Sequence, residues 1–185
     1  AKKAGVLEDR DLEPIKDFMH SIKPWPAVFD PQYVKKLNGP HVKKGKSLRD
    51  LADQVSADIA GFKKENGIDR LVMVWCGSTE VYREATDVQS SIEKFEKGLD
   101  ASDPNILPSM IYAYCAIKEG IPYCNGAPNL SADFPALVDL ARKTGSPIGG
   151  KDFKTGQTLM KTILAPGFKA RLLGMNGWYS TNILG

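Results

Sequence analysis

Apolar residues recur along this chain in two alternating rhythms. From Ser47 to Gly67, SLRDLADQVSADIAGFKKENG spaces Leu48, Leu51, Val55, Ile59 and Phe62 three or four apart, which is one face of a helix. Ser47 stands before that run as an N-cap, Asp50 lies in its first turn, and Gly67 supplies the stop. Directly afterwards comes IDRLVMVWCG (68–77), a continuous apolar run that predicts a strand buried on both faces. Upstream, DLEPIKDFMHSI predicts a helix over 11–22 with Leu12, Ile15, Phe18 and Met19 on one side, ended by Pro24 and Pro26. Downstream, helices are expected over 88–97, 104–119 and 131–144, the last stopped by Gly145. IPYCNGAP (121–128) and SPIGG (146–150) read as short strands, 155–174 as largely helical, and WYSTNIL (178–184) as a closing strand. Helix and strand alternating in this way argue for an α/β fold with a mostly parallel sheet.

Composition narrows the partners. The chain has 185 residues, 42% apolar and 25% charged, long enough for a real core and unlike collagen, disordered or disulfide-scaffold sequences. Lys+Arg number 25 against 22 Asp+Glu, so no clustered excess points to nucleic acid. The most basic stretch, Lys35 to Lys46, has no interleaved aromatics and reads as a solvated loop. No run reaches the roughly 18 apolar residues of a membrane helix, and no signal peptide is visible, so no membrane partner is expected. Cys76, Cys115 and Cys124 show no CxxC spacing, and His20 and His41 lie far upstream, so neither a metal site nor a disulfide is expected. Free thiols in apolar surroundings point to the cytosol. The chain opens on AKKAGVLEDRD without Met and stops on NILG, which suggests processed ends or a piece of something longer.

Three strand-to-helix junctions are rich in small and polar residues, where ligands of α/β sheets gather. WCGSTE presents Cys76, Gly77, Ser78 and Thr79, and YCNGAPN presents Asn125, Gly126, Ala127 and Pro128. Either is explained equally by a plain turn. IGGKDFKTGQT adds Asp152, Lys154 and a helix opening at Thr155-Gly156-Gln157-Thr158, a ready anion site ahead of the other reading, a simple N-cap. No Walker A loop, no GxGxxG and no GxSxG elbow occurs in the sequence. Tyr112 and Tyr114 read as packing residues.

The order WCGSTEVY, ILPSMIYAYCAIKEGIPYCNGAP, LVDLARKTGSPIGGKDFKTGQT and YSTNILG resembles the eukaryotic-type myo-inositol-phosphate synthase family over essentially the whole chain. The family motifs run W-T-A-N-T-E-R-Y, S-P-S-x-x-Y-A, N-G-S-P, G-G-D-D-F-K-S-G-Q-T and N-H-L-G-N-N-D-G. The resemblance implies an NAD-dependent isomerase that converts glucose 6-phosphate to inositol 3-phosphate by oxidation, enolisation, aldol closure and reduction, feeding inositol and phospholipid synthesis. It also implies a cytosolic homotetramer. Residues 1–150 would be the later part of a Rossmann-type NAD-binding domain, and 151–185 the start of a catalytic α+β domain. The glycine loop would lie upstream and the catalytic lysines downstream, so the chain would be the central third of the enzyme and inactive alone.

By the same resemblance, Cys76, Gly77, Ser78, Thr79, Gly126, Ala127 and Asp152 would touch NAD. Asp152 and Asn182 would be catalytic, and Thr155, Gly156, Gln157 and Thr158 would cradle the substrate phosphate. The chain departs from the motifs where T-A-N is Cys76-Gly77-Ser78, where Lys151 replaces an Asp, where Thr155 replaces a Ser, and where Ile183 replaces the His. Two other readings stand beside this one: a non-catalytic nucleotide or sugar-phosphate-binding module, and an NAD-dependent oxidoreductase with net hydride transfer.

Overall fold

The computed structural model describes residues 8–35, 37–153 and 158–176. It divides into two compact units, 1–152 and 153–185. The first unit opens with α1 (Asp9–Leu12), a 3-10 turn (Glu13–Ile15) and α2 (Lys16–Ser21). The single helix expected over 11–22 is thus broken, because Pro14 lacks an N–H and falls at the start of the 3-10 turn. Its apolar side is exposed at Ile15, Phe18 and Met19 rather than packed.

The next helix, α3 (Leu48–Asn66), forms where the caps placed it. Ser47 Oγ accepts from the Asp50 amide at 3.2 Å, and Gly67 closes the helix at φ 59°. Ala52, Val55 and Ile59 are buried. Phe62 stays 42% exposed and meets the edge of Trp25. The basic segment lies against this helix, with Lys43 Nζ 2.7 Å from Asp58.

Strand β1 (Met73–Trp75) is shorter than the apolar run and is not covered on both sides. Met73 and Trp75 turn to the core, while Val72 and Val74 remain 65% and 47% exposed. Alternation along a strand sends successive side chains to opposite faces, and only one face is packed among the described residues. A 3-10 turn (Asp87–Gln89) then precedes α4 (Ile92–Ala101), so the helix expected over 88–97 begins later, at its Ser91 cap.

α5 (Pro108–Lys118) starts four residues after the expected position. Asp103 Oδ1 accepts from the Asn105 amide at 2.8 Å and holds the approach in a turn, while Pro108 opens the helix. This helix is apolar all round: Ile111, Ala113, Cys115, Ala116 and Ile117 are fully buried. It packs on α3 and on β1, and further along the chain on β2 (Tyr123–Asn125) and α6 (Pro135–Thr144). α4 closes the layer between α3 and α6. α6 starts at Pro135 rather than Ser131, after a turn in which Asp133 accepts from the Ser131 amide, and Gly145 ends it at φ 69°.

With β3 (Ile148–Gly150) the sheet has the order β1-β2-β3, all parallel. The tyrosines are structural, as expected. Tyr112 OH accepts from the Val28 amide at 2.9 Å, and Tyr114 OH donates to Glu96 at 2.6 Å. Of the cysteines only Cys115 sits in apolar surroundings; Cys124 is half-buried and Cys76 is exposed.

In the second unit, α7 (Thr158–Ala170) contains Pro166 and exposes Leu159, Met160 and Ile163. The strand expected over 178–184 lies outside the described residues.

Candidate functional site

Parallel strands end on the same edge of a sheet, and here they end level. Trp75 is opposite Asn125, and Asn125 opposite Gly150. The three junctions singled out in the sequence therefore emerge side by side, on the edge where α/β sheets bind ligands. After β1 comes an open loop in which Cys76, Gly77, Ser78 and Thr79 are all exposed. After β2 comes the turn through Gly126 and Ala127, and after β3 the exposed Lys151 and Asp152.

The two loops are laced together. The Gly126 amide donates to the Trp75 carbonyl at 2.9 Å. Asn125 is buried; its Nδ2 donates to the Asn129 carbonyl at 2.6 Å and its Oδ1 accepts from the Ala127 amide at 2.9 Å. The Ala127 amide is thereby used inside the turn, so Ala127 contributes shape to the site, whereas Gly126 is half-buried beside the β1 loop. Asn129 pairs with the Glu80 backbone, Oδ1 accepting at 3.1 Å and Nδ2 donating at 2.7 Å. The Glu80 carboxyl accepts from Ser109, from its amide at 2.9 Å and its hydroxyl at 2.5 Å. Burial pushes this carboxyl above the usual range, and the two Ser109 bonds oppose that shift.

Two glycines fit the edge by necessity. A Cβ on Gly77 would lie 2.4 Å from the Trp75 ring, which folds over it. A Cβ on Gly150 would lie 2.6 Å from the Asn125 carbonyl oxygen, and Gly150 sits at φ 132°. Replacing Gly150 by Val is expected to cost about 2–4 kcal/mol and to push β3 off β2. Denaturant unfolding of the variant measures the loss, and an unchanged midpoint contradicts it.

What this edge can hold follows from its groups: small residues that let a flat ligand reach the backbone, the hydroxyls of Ser78 and Thr79, and the carboxyl of Asp152. These fit one side of a dinucleotide, and the exposed run 76–79 beside the half-buried Gly126 supports that fit. A cavity of about 170 Å³ opens beside it, lined by Asn125, Asp133, Ile148 and Gly150 and bordered by the Lys151–Asp133 ion pair. A larger cavity of about 330 Å³ lies against β1 among Trp25, Phe62 and Met73. Its one carboxylate, Asp58, is paired with Lys43, so it offers no chemistry.

Thr155, Gly156, Gln157 and Asn182 lie outside the described residues, and Thr158 opens α7 in the second unit. Glu80, Ser109 and Asn129 form a group that no sequence motif marks. Glu80 closes the WCGSTE motif and Asn129 closes YCNGAPN, but nothing local shows that either is buried.

The chain is similar to proteins of one family. A family model described as myo-inositol-1-phosphate synthase, of NAD-binding type, matches residues 1–175. Inositol-3-phosphate synthase 1 of Bacteroides thetaiotaomicron is 48% identical over 98% of the chain, which spans 43% of that protein. Inositol-3-phosphate synthase isozyme 1 of Arabidopsis thaliana is 34% identical over 88% of the chain and 32% of its own length. Among solved structures, inositol-3-phosphate synthase of Caenorhabditis elegans superposes with a TM-score of 0.76 at 27% identity, covering 89% of this chain and 34% of that one. The chain thus spans less than half the length of the curated relatives it matches.

Proposed function

Since the chain belongs to the myo-inositol-1-phosphate synthase family, we propose that its strand edge forms part of the NAD site of an enzyme converting glucose 6-phosphate to 1D-myo-inositol 3-phosphate. One observation carries this reading: the level ends of β1, β2 and β3 present the family-like segments 76–79, 126–127 and 150–152 together. No GxGxxG glycine loop occurs in residues 1–185, and the chain spans 43% of the length of the Bacteroides relative.

NAD, when bound, supplies a hydride acceptor and donor, so the sugar is oxidised and later reduced with no net redox change. The chain's own residues do the rest of what falls here. Ser78 and Thr79 offer hydroxyls to the cofactor, Gly126 lets it approach the backbone, and Gly77 keeps its place in the loop by leaving room for the Trp75 ring. Asp152, exposed just past β3, faces the reacting carbons and handles a proton or the charge of its transfer. Thr155, Gly156, Gln157 and Thr158 hold the substrate phosphate; α7 opens at Thr158, so its first amides follow that segment directly. Asn182 completes the catalytic set. Residues 1–150 serve the cofactor half and 151–185 begin the catalytic half. The protein acts as a cytosolic homotetramer, a reading supported by the exposed apolar residues of α7.

Incubating the whole protein with glucose 6-phosphate and NAD tests this reading. Inositol phosphate is expected without NADH accumulating. NADH rising in step with sugar loss marks an oxidoreductase instead, and ligand binding without turnover marks a binding module.

A further inference from the structure

An exposed loop and the largely buried turn beside it form the proposed cofactor wall, and their relative position is set beneath the surface. We propose that Glu80 is a positioning residue for NAD: its buried carboxyl, clamped by Ser109 at the start of α5, sets the 76–79 loop against the 125–129 turn. The inference rests on the NAD-site reading above.

Helix α5 begins with backbone donors that have no partner within the helix. Its N-cap residue is Leu107, which makes no side-chain cap. Glu80, 29 positions earlier, fills that role with one carboxyl oxygen on the Ser109 amide and the other on the Ser109 hydroxyl. A carboxylate at a helix N-terminus is favoured by the helix dipole as well as by the two hydrogen bonds. The Glu80 backbone is occupied too, since its N–H and C=O both pair with the Asn129 side chain. Asn129 in turn accepts from Asn125, which holds the Ala127 amide.

The result is one continuous relay, Ser109–Glu80–Asn129–Asn125–Ala127, running from the most buried helix to the cofactor-side turn. Its members are 0% exposed at Ser109 and 3–4% at Glu80, Asn129, Asn125 and Ala127. Of these, only Ala127 belongs to the wall itself; the other four lie beneath it. A buried network with its partners in place specifies one geometry, because any displacement leaves a desolvated polar group unpaired. Thr79 is joined to Glu80 by a peptide bond, and Gly126 adjoins Ala127. A shift of Glu80 is therefore transmitted to both cofactor loops.

The test is an NAD titration of the whole protein, with kinetics for glucose 6-phosphate, for Ser109→Ala, Glu80→Gln and Glu80→Ala. Ser109→Ala keeps the carboxyl and one main-chain bond; it is expected to raise the NAD Kd about 10-fold, the loss of one charge-assisted hydrogen bond. Glu80→Ala is expected to raise it further. Glu80→Gln keeps an acceptor for the Ser109 amide and a donor for its hydroxyl, and is expected to restore affinity to within about 3-fold of the parent. The number of NAD sites per chain and the KM for the sugar stay unchanged. A merely structural role would lower the number of sites and leave Kd alone, and that result overturns the proposal. Parent protein that binds NAD beside a Ser109→Ala variant with unchanged Kd overturns the proposal by itself. Parent protein that does not bind NAD overturns the NAD-site reading and this inference with it. If Glu80→Ala fails to fold, Ser109→Ala decides.

Discussion

Phe95→Ala is expected to cost about 3–5 kcal/mol, a large share of the roughly 5–15 kcal/mol that a typical domain has in total. Phe95 is fully buried on α4, and its ring lies 5.6 Å from Tyr114 of α5 and 5.7 Å from Phe134, the N-cap of α6. One side chain therefore joins three helices of the layer that supports the sheet. Removing it takes away apolar contact area and leaves a void that rigid neighbours fill only in part. Phe95→Leu, which keeps most of the volume, is expected to lose less than half as much. Denaturant midpoints of the two variants measure the difference. Equal and small losses would mean that α4 does not help to hold α5 and α6 in place.

Asp152→Asn is expected to lower turnover at least about 100-fold while leaving stability within about 0.5 kcal/mol of the parent. The substitution preserves shape and removes only charge and basicity. Asp152 is exposed beyond the end of β3, so no buried partner is lost with it. Steady-state kinetics beside thermal unfolding separate the two effects. Undiminished turnover in the variant removes Asp152 from the reaction.

How far this could be read from the sequence depends on whether the deciding physics is local. The ends of α3 are local: a serine hydroxyl bonds an amide three residues on, and a glycine takes a left-handed turn, so Ser47 and Gly67 were legible. The α/β class followed from the alternation of periods, and the parallel three-stranded sheet agrees with it. The helix over 11–22 was misread because periodicity outweighed Pro14. β1 was misread for another reason. A continuous apolar run does not say how many faces are covered, and among the described residues Val72 and Val74 face outward from a sheet packed on one side. α5 and α6 start later than their periodicity suggests because the polar residues before Pro108 and Pro135 form turns rather than first helical turns.

The site shows the same division. The small and polar residues after each strand were visible as motifs, and their convergence followed once the strands were parallel. The relay beneath them was not visible, since Glu80 meets Ser109 across 29 positions and Asn129 across 49. A carboxyl in the middle of a polar loop gives no local sign of burial. The Lys151–Asp133 pair is likewise long-range, and it gives the lysine that departs from the family motif a partner on the turn before α6.

Hydrogen exchange of the whole protein with and without NAD measures the central claim most directly. The amides of 76–79 lie in an exposed loop and those of 126–127 in the neighbouring turn, at the level ends of β1 and β2. The account predicts that NAD slows exchange in both segments together, while the outer helix α2 is unaffected. Exchange in 76–79 and 126–127 that stays the same at saturating NAD would contradict it.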